Sequence, residues 1–197
     1  HYPRQPKMYA MMDALGFYVM DEANVECHGN QNLSSNRSWI TAMDDRTKRM
    51  VLRDRNHPSV IFWSLGNECG GGSNFSTTYN TCKSLDSRFV HYEGASGGTN
   101  YSDLGSSMYP PVSDVSDRRS GYNGKPYFIC EYAHAMGQAV GNLKEYWDQI
   151  EGSSGIIGAC IWDWVDQSVY DPARLVNGEK KDKNGFHYWV SGYDYSN

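Results

Sequence analysis

The chain has 197 residues, a net charge of −5 and a pI near 5.6, and it contains no basic run or stripe of the kind that tracks nucleic-acid phosphates. No apolar stretch approaches the ~18 residues a membrane span needs, and the opening HYPRQPKMY has neither signal-peptide nor transit-peptide character. The length suits one domain with a substantial core, and the first residue, His rather than Met, reads as that of an excised or processed piece.

Taken in chain order, apolar runs alternate with helical periodicity. GFYVMD (16–21) reads as a strand with a polar end. Over 39–54, Trp39, Ile40, Met43, Met50 and Val51 share one helical face, with Ser38 placed to cap it. SVIFWSL (59–65) is the next strand, followed by a helical pattern through Phe75, Tyr79, Cys82 and Leu85. RFVHYEG (88–94), GSSMYP (105–110) and PYFICEYA (126–133) read as strands, then a helix over 139–151 with Val140, Leu143, Trp147 and Ile150 on one side. GIIGACIWDW (155–164) is the last apolar strand, and FHYWV offers a further short one in the polar Gly/Asn/Lys-rich tail, 171–197.

Strands separated by helices predict parallel pairing through crossovers, and runs apolar throughout suit strands covered on both faces. Most of these runs finish on a polar or aromatic residue: Asp21-Glu22, Asn67-Glu68, Glu93, Tyr109, Glu131, Asp163. Chemistry spread over the C-terminal ends of several strands is the pattern of a (β/α)₈ barrel, whereas a doubly wound sheet gathers it at one switch point beside a glycine fingerprint absent here. The expectation is a TIM barrel domain over 1–197, with about six of eight strand–helix units and the first two strands missing on the N-terminal side.

Five cysteines (Cys27, Cys69, Cys82, Cys130, Cys160) form no CxxC pair and no zinc spacing, which predicts free thiols and a reducing compartment. Aromatics reach 14%, which suits either a dense core or a surface for flat, half-polar ligands such as sugar rings.

Glu68 and Glu131 end different strands, and a carboxylate buried there is costly unless paired or used. Facing one cavity, two of them suit a retaining glycosidase, one protonating the leaving oxygen and the other attacking the anomeric carbon; a structural ion pair at the rim is the bland alternative. Tyr109 could orient a carboxylate. Glu26 and His28, two apart in NVECHGN, could ligate one metal or simply fix a histidine tautomer. Trp162 could stack on a sugar or pack, packing is the preferred reading for Trp164, and His134 could reach a substrate hydroxyl or be structural. The three glycines after Cys69 could leave room for substrate close to backbone.

HPSVIFWSLGNE, DEANVECHG, CEYAHAMG and IWDWVDQS together resemble the catalytic barrel of the family-2 glycoside hydrolases. The first of these also suits β-glucuronidases and β-mannosidases, while DEANVECHG and CEYAHAMG narrow the likeness to the large magnesium-dependent β-galactosidases. The resemblance implies Glu68 as acid/base, Glu131 as nucleophile, Asn67 on the sugar 2-hydroxyl and Tyr109 holding Glu131. It implies Mg²⁺ on Glu26, His28 and Glu68, and galactose contacts from His1, His134 and Trp162. It further implies a β-galactoside substrate, a homo-oligomeric parent, and a monovalent-cation site whose ligands lie outside this chain. A barrel of this extent would either self-associate through open edges or need complementation for activity. The sequence departs from the family pattern at Cys69, where the family carries Ser.

Overall fold

The computed structural model describes residues 1–95, 100–135, 140–164, 179–181, 183–187 and 189. Helix α1 (Pro6–Leu15) opens the chain, with Pro at its first position and Gly16 closing it in the left-handed conformation (φ 76°). Then follow β1 (Val19–Glu22), α2 (Ile40–Asp54), β2 (Val60–Ser64), α3 (Asn74–Leu85) and β3 (Phe89–His91). The second half holds β4 (Gly105–Met108), α4 (Val112–Ser116), β5 (Tyr127–Tyr132), α5 (Leu143–Glu151) and β6 (Ile156–Ile161).

All six strands expected from the apolar runs are present, and every ladder is parallel. They form two three-stranded sheets, β1-β2-β3 and β4-β5-β6. The sheets do not pair through β3 and β4 because Asp103, just ahead of β4, takes the partners of Val90. Its N–H donates to the Val90 carbonyl at 2.7 Å, and its carboxylate accepts from the Val90 N–H at 2.8 Å. His91 bridges the halves: its ring nitrogens lie 2.9 Å from the hydroxyls of both Ser64 on β2 and Ser106 on β4. The ring is fully buried against the edge of Phe128, and burial depresses its pKa to about 4.

The core divides with the sheets. Met43, Met50 and Val51 of α2 and Phe75 and Cys82 of α3 cover β2 and β3, where Val60, Trp63 and Val90 are almost wholly enclosed. A smaller cluster, with Val115, Tyr127, Ile129, Ile150 and Ile156, supports the second sheet. Asp21 points away from the polar strand ends: it takes a hydrogen bond from Tyr9 of α1 at 2.5 Å, pinning that helix to β1.

Several expectations are corrected. Ser38 does not cap α2, whose N-cap position is Trp39 with no side-chain cap; Ser38 lies instead in the 3-10 turn Arg37–Trp39 that leads in, which Asn36 caps by accepting from the Ser38 backbone N–H and hydroxyl. Helix α5 begins at Leu143, and of its expected apolar face only Ile150 is buried. Trp164 is 84% exposed rather than packed. Cys27 and Cys69 form a disulfide, so the expectation of free thiols holds for Cys82, Cys130 and Cys160 but fails for this pair. The premise for a reducing compartment falls with it. Most of the tail 171–197 lies outside the described residues; within it Lys181 and His187 form an isolated bridge, and 188 and 190 of FHYWV are not described. No helix among the described residues is long and apolar enough to cross a membrane.

Candidate active site

The parallel strands all point their C-terminal ends at one rim. Glu22, Asn67, Glu68, Glu93, Tyr109 and Glu131 leave the strands there, as a barrel requires of its site residues. Several rim residues adopt left-handed backbone without being glycine, among them Glu68 (φ 45°), Tyr109 (φ 46°) and Ala133 (φ 50°). Each such residue costs on the order of 1–3 kcal/mol and persists only where its surroundings over-determine it.

Glu131 is 7% exposed, and both of its carboxylate oxygens are engaged. The Tyr109 hydroxyl donates to one, and the His1 ring lies 3.0 Å from the other. The opposite nitrogen of His1 meets Glu22 at 2.6 Å, so this ring ties the ends of β1 and β5 across the mouth. Burial opposes a charged His1, but hydrogen bonds to Glu131 and then Glu22 outweigh it and raise its pKa to about 10. The ring is therefore a cation at neutral pH. Burial, then the bond to Glu131, lifts the Tyr109 phenol above its ordinary value, which keeps it a donor. Trp162, one residue past β6, tilts against His1 with ring centroids 4.7 Å apart.

A cleft of about 700 Å³ opens beside this group, lined in part by His1, Glu22, Asn67, Glu93 and Trp162. His134 stands elsewhere on the rim: with Tyr109 (5.5 Å between centroids), Asn142 and Tyr146 it borders a second cleft of about 420 Å³.

Glu68 sits on a different kind of ground. Its side chain is 30% exposed and meets His28 at 2.9 Å. Glu26 is exposed and accepts from the Tyr2 hydroxyl at 2.6 Å, which raises that phenol's pKa to about 12. Glu26 and Asn67 form an isolated parallel bridge, so the three metal candidates occupy one ledge. Among the described residues no three His, Cys, Asp or Glu side chains already converge on a point. Two carboxylates and one imidazole facing solvent nonetheless make a donor set that fits a magnesium ion, which favours oxygen and keeps several waters.

Glu22 and Glu93 were visible in the sequence as polar strand ends, yet carried no assigned role. Glu93 accepts from the Glu68 backbone N–H at 3.1 Å, helping to hold that residue in its strained conformation. Burial pushes its carboxyl up; the Glu68 N–H opposes this, and the charges of Glu68, Glu131 and Glu22 add to it. The rim is thus a cluster of carboxylates with His1 as its counter-cation.

Two of the three glycines after Cys69 are closely packed against the protein itself. A Cβ on Gly72 would sit 2.1 Å from the Ser34 backbone, and one on Gly70 (φ 66°) 3.1 Å from Gln31. Gly66, before the Asn-Glu pair, has φ 147°, and a Cβ there would stand 2.3 Å from the Val25 carbonyl oxygen. That approach lets the Asn67 N–H donate to Val25 at 2.9 Å.

Comparison with known proteins places this geometry. A family model described as "Glycosyl hydrolases family 2, TIM barrel domain" matches residues 1–193. A β-galactosidase of Vibrio vulnificus (strain CMCP6) is 41% identical over 99% of this chain and 20% of its own length. Those of Pseudoalteromonas haloplanktis (42%, over 99% of this chain and 19% of the relative) and Lactococcus lactis (41%, over 90% and 20%) are comparable. The chain therefore spans about a fifth of the length of these relatives. Among solved structures, a β-glucuronidase of Ruminococcus gnavus superposes with a TM-score of 0.66 at 16% identity, over 91% of this chain and 39% of that one. A β-glucuronidase of Bacteroides uniformis does so with a TM-score of 0.67 at 16% identity, over 84% and 26%. These likenesses speak for the fold. The match over nearly every residue, joined to parallel strands that deliver their polar ends to one rim, means that this chain belongs to glycosyl hydrolase family 2, as its TIM barrel domain.

Proposed function

We propose that this domain performs the chemistry of a retaining β-galactosidase, with Glu131 as nucleophile and Glu68 as acid/base. The observation that carries the reading is the grip on Glu131, a buried carboxylate at a strand end with Tyr109 on one oxygen and His1 on the other. A nucleophile must present one oxygen along a fixed line to the anomeric carbon, and two donors on separate elements supply that orientation. Galactoside specificity draws support from the three relatives above, each named β-galactosidase and about 40% identical over 90–99% of this chain.

In the first half-reaction Glu131 attacks the anomeric carbon while Glu68 gives its proton to the departing oxygen; in the second, Glu68 takes a proton from the water that releases the sugar. His1 and Tyr109 hold the nucleophile's charge before attack. Asn67, beside the cleft, is suited to the sugar 2-hydroxyl, and Trp162 offers an apolar face to the ring. His134 is suited to a hydroxyl on the Tyr109 side. Glu26, His28 and Glu68 would hold Mg²⁺, which when bound supplies positive charge beside the Glu68 carboxylate.

The test is labelling with a 2-deoxy-2-fluoro-β-galactoside followed by peptide mapping, in the full-length gene product. The expected adduct is on Glu131, and an adduct on any other residue overturns the assignment. Preferential cleavage of a glucuronide or mannoside over the galactoside would remove the specificity claim. Chelation is expected to lower activity, with recovery on adding Mg²⁺; indifference to chelator would detach Glu26 and His28 from the site.

A further inference from the structure

The segment carrying Glu26 and His28 is joined to the one carrying Asn67 and Glu68 well beyond the β1–β2 ladder. Regular pairing ends at Glu22 and Ser64. Contact continues through the Asn67 N–H on the Val25 carbonyl and the Glu26–Asn67 bridge, and the Cys27–Cys69 disulfide closes it. The two sulfurs sit among the groups that matter: Cys27 lies between Glu26 and His28, and Cys69 follows Glu68 directly. Cys69 is 2% exposed, and its N–H donates to the Tyr92 hydroxyl, which itself donates to the Gly70 carbonyl. Cys69 is thus anchored in the core, and Cys27, partly buried, packs against that same core between the exposed Glu26 and His28.

We infer that the Cys27–Cys69 disulfide is a positioning element for Glu68, fixing it against Glu26 and His28 so that proton donor and metal donors move as one unit. The inference rests on the reading of Glu68 as acid/base. Its physical basis is a mismatch between strain and packing. Glu68 is held in left-handed backbone, yet its side chain is partly exposed and its neighbours Glu26 and His28 are exposed. The Glu93 carboxylate and the buried neighbours Asn67 and Cys69 hold the Glu68 backbone from one side, and the covalent link adds the Glu26–His28 segment on the other. Three other cysteines, Cys82, Cys130 and Cys160, remain free thiols, so the bond singles out the two that flank the ledge.

A dithiol opens the bond by thiol–disulfide exchange: the two cysteines become thiols, and the reductant becomes the disulfide. The full-length gene product would be assayed oxidised, dithiol-reduced, and as Cys27→Ser/Cys69→Ser, with thiol titration reporting the state of the bond. Two substrates separate acid catalysis from everything else. A 2,4-dinitrophenyl β-galactoside needs almost no protonation of its leaving group, whereas an alkyl β-galactoside depends on it. The expected result is a loss of about tenfold in kcat/KM on the alkyl galactoside, with the dinitrophenyl value little changed. Calorimetric Mg²⁺ affinity should weaken in parallel.

A merely structural role would lower both substrates alike. Equal losses, or no loss with the bond shown open, would overturn the inference while leaving the glycosidase reading intact. Mapping of Cys27 and Cys69 as unbonded in the oxidised protein would also overturn it. Cleavage of neither galactoside by the oxidised protein would overturn the glycosidase reading and the clamp together.

Discussion

The ends of β5 and β2 hold their carboxylates in opposite ways. Glu131 is almost fully buried, with a donor on each oxygen. Glu68 is 30% exposed, sits in strained backbone and shares one oxygen with an exposed imidazole. Burial plus two directed hydrogen bonds fixes a group in one orientation; partial exposure leaves a carboxylate open to exchange protons with solvent. The contrast matches the proposed division of labour, since a nucleophile needs one line of approach and an acid/base must serve two half-reactions.

The sharpest way to break the comparison is to neutralise each carboxylate in turn. Glu131→Gln keeps the shape but removes the attacking charge, and kcat should fall by roughly 10⁴-fold or more on every galactoside. Glu68→Gln should cost about 10²–10⁴-fold in kcat/KM on an alkyl galactoside yet far less on the dinitrophenyl one. If both variants show the same dependence on the leaving group, the assignment of distinct roles fails.

The next largest effect concerns the grip itself. Tyr109→Phe removes one donor from Glu131 and should reduce kcat on the order of 10²-fold with little change in melting temperature. Tyr109 is 39% exposed, so its ring contributes modestly to the core. A variant with unchanged kcat would show that His1 alone orients the nucleophile.

The smallest effect is on stability and falls where the two sheets meet. His91 is buried neutral with its pKa depressed to about 4, below the ordinary value near 6.5. The unfolded chain therefore binds the extra proton first as pH falls. The stability that His91 lends is complete above pH ~6.5 and is lost progressively as pH drops toward about 4, by up to roughly 3 kcal/mol. Denaturant titrations across that window should show the loss, and His91→Gln should flatten it. An equally steep profile in the variant would place the acid sensitivity in other groups.

Much of this was legible in the chain itself. A buried parallel strand must be apolar on both faces, so VIFWSL and YFICEY announced themselves, and their polar ends announced the rim. Helix α1, which is not among the elements expected above, is nonetheless bracketed by Pro at its start and Gly at its close around PKMYAMMDAL. α5 was overextended because periodicity continues through Val140, whereas the helix starts only after Asn142, which has φ 56°.

What the sequence determined by itself was the order of strands and helices and the identity of the rim carboxylates, because periodicity and strand-end chemistry are local properties. What only the tertiary structure decided was who meets whom: His1 spanning Glu22 and Glu131, Glu93 under the Glu68 backbone, and Cys27 bonded to Cys69 across 42 positions. Those contacts join residues far apart in the chain and depend on how parallel strands set their ends side by side. No spacing rule in one dimension carries that information.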